Sequence, residues 1–326
     1  MDEMTYDFKS ARKVFSRIGI AFVTILLVTT VLQMLIFAGG EDNWMNTSSW
    51  GMWIGSFLPI YAVAIPLGIL IMRKLPACAP EDMKLGAKNF LVFVPMCICI
   101  MYAGNLVGTI LSLVLSGGTA ENAVANYAMD NNPLKVLVMV VLAPVLEEYI
   151  CRKQLIDRTR QYGEKIAVFL SALVFGLLHQ NLYQFFYAFG LGLIFAYVYT
   201  RTGRLRYSIL LHGFINFLGS VVAPWLVANV DLAVMDSLDL TLPEEELAAI
   251  LAPMLPGFVA YMAYALLLIG FAIWGLVLLI LKARKLMCKP AQLQIPQGKV
   301  FKTVYLNAGM IVYIIVCMAF FVLALM

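Results

Sequence analysis

Nine apolar stretches divide the chain, at residues 18–38, 51–72, 89–115, 134–156, 165–180, 182–200, 207–228, 256–281 and 304–325. Each is long enough, or nearly so, to cross about 30 Å of hydrocarbon as a helix of about 20 residues. Lipid offers no water to backbone amides and carbonyls, so such segments must satisfy those groups internally, and the pattern predicts helices. The shortest, 165–180, is the weakest as a full span. The expected fold is therefore an all-α polytopic membrane protein, a bundle of about eight or nine transmembrane helices. Residues 1–133 supply three N-terminal spans, 134–220 a central core, and 221–326 an outer acidic loop with the C-terminal spans.

Composition agrees with the pattern. Hydrophobic residues make up 62% of the 326 and the mean hydropathy is +0.88, more apolar surface than one soluble core can hide. The charges then set an orientation, because short loops rich in Lys and Arg stay in the cytoplasm. With the N-terminus inside, Lys9 to Arg17, Arg73 to Lys88, Arg152 to Lys165, Arg201 to Arg206 and Lys282 to Lys302 all fall inside. That assigns 22 of the 23 basic residues to one side and leaves Lys135 at an outer edge. The outer loops are acidic, with Glu41, Asp42, Glu121, Asp130, Asp231, Asp236, Asp239 and Glu244 to Glu246. The reading is N-terminus in, C-terminus out. The net charge of +4 is a topology signal; no basic patch points to nucleic acid as a partner.

The first apolar run, Ile18 to Ala38, is 21 residues, longer than a signal-peptide core of about 7 to 15, and reads as a retained helix. Cys78, Cys97, Cys99, Cys151, Cys288 and Cys317 fall in spans or on the cytoplasmic side, so no disulfide framework is indicated. "GNLVG" (Gly104 to Gly108) has the small-xxx-small spacing of close helix packing. Residues 231–255 alternate acidic and apolar positions and read as an outer loop with a short interfacial helix. The aromatics from Asn181 to Phe189 read either as an interfacial belt or as the lining of an opening for an apolar substrate.

Ionisable groups at membrane depth are expensive and mark a functional site or a buried pair. Glu147, Glu148 and Arg152 lie in one apolar segment, and the only two histidines, His179 and His212, lie in others. Glu148 and Arg152 stand at i, i+4 and can pair, whereas Glu147 points about 100° away. Phe175 and His179 share a spacing of four, as do His212 and Asn216. Glu147 is 16 residues before Gly163 and His179 is 16 after it. A hairpin turning at that glycine brings both level, about 24 Å along their helices. His212 follows Gly203 by 9 residues, about 14 Å, and reaches the same depth if the first hairpin projects further into the cytoplasm. Pro144 has no amide hydrogen for the carbonyl of Val140, so a kink is expected just before the glutamates.

The run EExxxR (Glu147, Glu148, Arg152), then FxxxH (Phe175, His179), then HxxxN (His212, Asn216) resembles the CPBP family. This is the CAAX-protease and bacteriocin-processing group that includes Rce1-type prenyl-protein endopeptidases. The likeness spans about 85 residues, from Leu134 to Ser220, with all three motifs intact and in order. It implies an Rce1-like catalytic core and an intramembrane endopeptidase. In such an enzyme Glu147, with His179, would activate a water, and His212 and Asn216 would donate to the developing oxyanion. Glu148, Arg152 and Phe175 would support them. Donors fixed in a water-poor site are effective there, one such donor being worth about 10² to 10³ in rate.

Cys151 lies inside the first motif but has no base positioned for it. Glu147, His179 and His212 are also a possible Zn²⁺ set, yet no HExxH is present, and the metal-free reading is preferred. A third reading is a scaffold or regulator that keeps this architecture without cleaving anything. The expected partners are membrane lipid and a peptide or lipid-modified protein substrate: a prenylated protein, a bacteriocin or peptide precursor, or a surface protein. The expected location is a prokaryotic cytoplasmic membrane.

Overall fold

The computed structural model describes residues 7–230, 234, 238–239, 241–282, 287–296 and 298–326. Asp231, Asp236, Arg284 and Lys285, used above for topology, lie outside the described residues. Among the described residues the regular structure is entirely helical.

All nine apolar stretches are helices. Six are long and apolar enough to cross a membrane: α1 (Phe8–Ile36), α2 (Ser49–Met72), α3 (Ala87–Ser116), α7 (Leu182–Thr202), α8 (Leu205–Val227) and α10 (Leu255–Lys282). A short helix, α4 (Ala123–Met129), joins α3 to α5, which runs continuously over 136–159. Helix α5 has the length of a span but carries Glu147, Glu148, Arg152 and Lys153 inside it. Helix α6 (Glu164–Leu177) has 14 residues and the last helix, α11 (Ala308–Leu323), has 16. At 1.5 Å per residue α6 reaches only about 21 Å, so its C-terminal end stops inside the bilayer. The acidic segment after α8 holds one short helix, α9 (Glu244–Leu251).

Helix α1 buries Phe15, Ile18, Phe22 and Ile25 against α2 and α11. The α6–α7 hairpin forms the centre, and α3 packs between α7 and α10. A Cβ on Gly104 or Gly108 would collide with the backbone of Tyr187 or Leu182, so this pair permits α3 to touch α7 backbone to backbone. Gly203 ends α7 at φ 64° and donates to Tyr199 O at 2.7 Å, a left-handed cap that glycine takes without a Cβ penalty. All six cysteines are free.

The basic loops gather at one end of the bundle. Arg17 Nε donates to Ile71 O (2.9 Å) and Arg158 Nε to Met72 O (2.8 Å). Arg204 pairs with Asp82, Arg201 with Glu164, and Lys289 with Glu81 (3.1 Å). The Arg204 guanidinium holds the exposed Asp82 carboxyl below its ordinary range. At the other end Asp130, after α4, accepts from Ser49 Oγ and Trp53 Nε1 at the head of α2, both at 2.7 Å.

Candidate active site

The site is built on a helix that departs from α geometry. In α5 the turns over Val136–Leu142 and Tyr149–Gln154 are π-helical, with hydrogen bonds reaching five residues instead of four. Ala143 N–H donates to Val138 O. In that register the carbonyl left without a partner by Pro144 is that of Met139, one residue earlier than the Val140 expected from α-helical spacing. Asn216 Nδ2 on α8 donates to Met139 O at 2.8 Å and supplies the missing bond.

Glu148 and Arg152 pair on one face. Arg152 Nε donates to Glu148 Oε2 (2.9 Å) and its NH2 group to Oε1 (3.0 Å), while NH1 donates to Ser171 Oγ (2.8 Å). Ser171 in turn donates to Cys151 O at 2.7 Å. Both charged side chains are 0% exposed, and the guanidinium lies 4.7 Å from the centre of the Phe175 ring and 5.8 Å from that of Phe195. A buried charge is tolerable when paired and saturated with hydrogen bonds, and this pair is. Glu148 is thereby committed to structure. Cys151 is fully buried in the core.

Glu147 is differently situated. Its side chain is 21% exposed on the wall of a cavity of about 450 Å³. Tyr61 of α2 points its hydroxyl at Glu147 Oε1, 3.4 Å away. His212 bridges the two acids: Nδ1 is 3.2 Å from Glu148 Oε1 and Nε2 is 3.9 Å from Glu147 Oε2. A carboxylate only accepts, so Nδ1 carries the proton that faces Glu148. The His212 ring stacks on Phe195 (5.4 Å, 22°) and meets Phe175 edge-on (5.5 Å, 83°), which fixes its plane.

His179 lies in the turn beyond the end of α6 rather than on the helix, with its N–H donating to Gly176 O. Its Nδ1 is 2.8 Å from Phe175 O. A carbonyl only accepts, so Nδ1 bears the proton and the Nε2 lone pair is left for a water. The following residue, Gln180, takes φ 59°, a left-handed conformation costing a residue with a side chain about 1–2 kcal/mol. Asn181 then caps α7 by accepting from Gln184 N at 2.9 Å.

The cavity wall thus includes Glu147, Phe175, His179, His212 and Asn216 together. From the aromatic run Asn181 to Phe189, Tyr183 and Tyr187 line the cavity, while Phe185 packs on Phe189 and Phe321. Two participants escaped sequence reasoning, Tyr61 and Ser171. Tyr61 stands between Pro59 and Pro66 in mid-span, and a phenol among prolines at that depth was the available signal. Among the described residues no group of three or more His, Cys, Asp or Glu side chains is gathered to hold a metal ion. His212 Nδ1 is engaged with Glu148.

The family profile described as type II CAAX prenyl endopeptidase Rce1-like matches residues 130–218. Over this stretch, about a quarter of the chain, the protein is similar to that family. The match takes in every motif residue, from Glu147 to Asn216. Two curated relatives extend it. A Bacillus subtilis (strain 168) protein named "Putative membrane peptidase YdiL" is 26% identical over 206 residues, 59% of this chain and 80% of that protein. "Membrane-embedded CAAX protease MroQ" of Staphylococcus aureus (strain USA300) is 32% identical over 87 residues, 24% of this chain and 35% of that protein. No solved structure matches significantly. The chain is thus a polytopic membrane protein similar to membrane peptidases, and the matched stretch holds the whole charged cluster except Tyr61, which α2 contributes from outside the match.

Proposed function

We propose that the protein is an intramembrane endopeptidase in which Glu147 is the general base. One observation carries the reading: of two adjacent glutamates, Glu148 is consumed by Arg152, while Glu147 faces the cavity beside two imidazoles. Glu147 takes a proton from a water that also donates to His179 Nε2. The resulting hydroxide bonds to the scissile carbonyl carbon and the carbonyl π pair moves onto oxygen. Collapse of that tetrahedral species breaks the C–N bond, and the proton held by Glu147 passes to the leaving amine.

Two donors suit the developing oxyanion. Asn216 Nδ2 has a second N–H besides the one given to Met139. His212, with Nδ1–H turned to Glu148, presents Nε2 on the cavity side and donates from it as the imidazolium. No metal enters this scheme. The basic end of the bundle is assigned to the cytoplasm, which gives N-terminus in and C-terminus out.

The test compares the membrane proteome of cells carrying the wild type with that of cells carrying Glu147→Gln. Peptides with new termini that appear only with the wild type are expected; identical peptide sets would leave a scaffold or regulator as the reading. Full cleavage after exhaustive chelation, with no stoichiometric Zn²⁺ in the purified protein, is expected of the metal-free scheme.

A further inference from the structure

We infer that the reaction cavity is entered from the extracytoplasmic face and takes an uncharged stretch of polypeptide presented there. The identity of what enters rests on the peptidase reading; the side from which it enters rests on the bundle's geometry and charge.

The cavity is closed toward the basic end. Beneath Glu147 lie Glu148, Arg152 and Ser171, each 0% exposed. Beneath these, Tyr199 donates to Asp157 Oδ1 at 2.7 Å and Thr159 bonds back to its own helix, all of them buried. That floor separates the cavity from Asp82, Arg204 and Glu164 at the end of the bundle.

The walls rise the other way. Gln33 lies near the end of α1, Ser56 near the start of α2, Gln184 near the start of α7 and Ser220 late in α8. These helices alternate in direction, so four separate elements each contribute the half remote from the basic loops. Helix α4 roofs the same half, with Tyr127 joined to Ser56 through their hydroxyls at 2.6 Å. Short basic loops stay in the cytoplasm, which puts the mouth on the opposite side. Its surroundings carry Glu41, Asp42 and Glu121, and the nearby Lys135 is engaged with Ala128 O.

The lining gives the chemistry of the occupant. Glu147 is its only carboxylate, and no Lys, Arg or Asp lines it among the described residues. The remaining polar groups are largely amides and hydroxyls, including Gln33, Asn105, Asn122 and Gln184, interleaved with apolar side chains such as Met101 and Leu191. An amide both donates and accepts, as a peptide main chain does. Glu147 is the one charge available and is committed to the reaction, so a charged side chain seated anywhere else along this lining would pay its desolvation unrelieved.

The test places one cysteine in the full-length protein, at Ser56→Cys or at Gln184→Cys, and treats intact cells with a small charged methanethiosulfonate that cannot cross the bilayer. Native Cys78 and Cys288, partly exposed at the basic end, are the internal reference. The engineered thiols are expected to react in intact cells, and the reference pair only after the membrane is opened. Reaction of the engineered thiols only after opening, or no reaction even in detergent, overturns the entrance. A neutral Ala-Gly-Ser hexapeptide is expected to slow the labelling, and a version with two lysines is not; equal protection, or none from either, overturns the preference for an uncharged segment. Labelling needs no turnover, so an unchanged proteome with Glu147→Gln would end the peptidase reading and leave the entrance standing.

Discussion

Asn216 on α8 donates its side-chain amide to the carbonyl of Met139 on α5 at 2.8 Å, the carbonyl for which Pro144 has no hydrogen in the π register. The residue therefore ties two helices together at the rim of the site as well as facing the cavity. Asn216→Ala leaves a half-buried carbonyl unsatisfied, which costs about 1–3 kcal/mol. Asn216→Asp sets a carboxylate oxygen against a carbonyl oxygen and is expected to be worse. Thermal unfolding in detergent reads both; an Asn216→Ala protein as stable as the wild type would show that the bond contributes nothing.

The two neighbouring glutamates have opposite expected outcomes. Glu148→Gln strips the countercharge from a fully buried Arg152, and breaking such a pair typically costs about 3–5 kcal/mol. Glu147 has only the long contacts to Tyr61 (3.4 Å) and His212 (3.9 Å), so Glu147→Gln is expected to unfold close to the wild-type temperature while losing cleavage. Unfolding temperature and cleavage measured on the same preparations separate the roles. Equal destabilisation by the two substitutions would contradict the assignment of Glu148 to structure.

Much of this was legible from spacing. The nine apolar runs became helices because lipid leaves the backbone no alternative. The Glu148–Arg152 pair followed from i, i+4 geometry, and counting from Gly163 and Gly203 brought Glu147, His179 and His212 to one depth. What spacing missed depended on register or on distant packing. The π turns shift the orphaned carbonyl from Val140 to Met139, and nothing local announces a five-residue hydrogen bond. His179 leaves its helix because α6 stops at Leu177. Tyr61 comes from a helix more than eighty residues upstream, with no motif linking it to Glu147.

Tyr61→Phe tests that last contact. The hydroxyl is 3.4 Å from Glu147 Oε1, a long hydrogen bond in the free protein that can tighten with substrate in place. A net contribution of about 1 kcal/mol corresponds to roughly a fivefold fall in cleavage rate. The phenyl ring keeps its packing on Phe57 (6.1 Å between centroids), so the unfolding temperature should hold. An unchanged rate would make Tyr61 a wall residue and nothing more.

The roof over the cavity carries its own pH dependence. Partial burial opposes ionisation of Asp130, but the Ser49 hydroxyl, the Trp53 indole and the Asn132 amide all donate to it and Lys135 adds its charge; together they hold the carboxyl below its ordinary range. A carboxyl lowered in the folded state contributes stability that is fully present above the unfolded value, about 3.9, and is lost as pH falls through the lower folded value. Asp130→Asn keeps an acceptor oxygen but has no charge to lose. The wild type should therefore unfold at a higher temperature than Asp130→Asn near neutral pH, and the gap should close progressively below about pH 4. Trp53 stacks on Phe57 at 5.2 Å and donates to Asp130, so its fluorescence reports the loosening directly. A gap that stays constant down to the acid limit of the folded protein would mean that the Asp130 charge does not hold the roof.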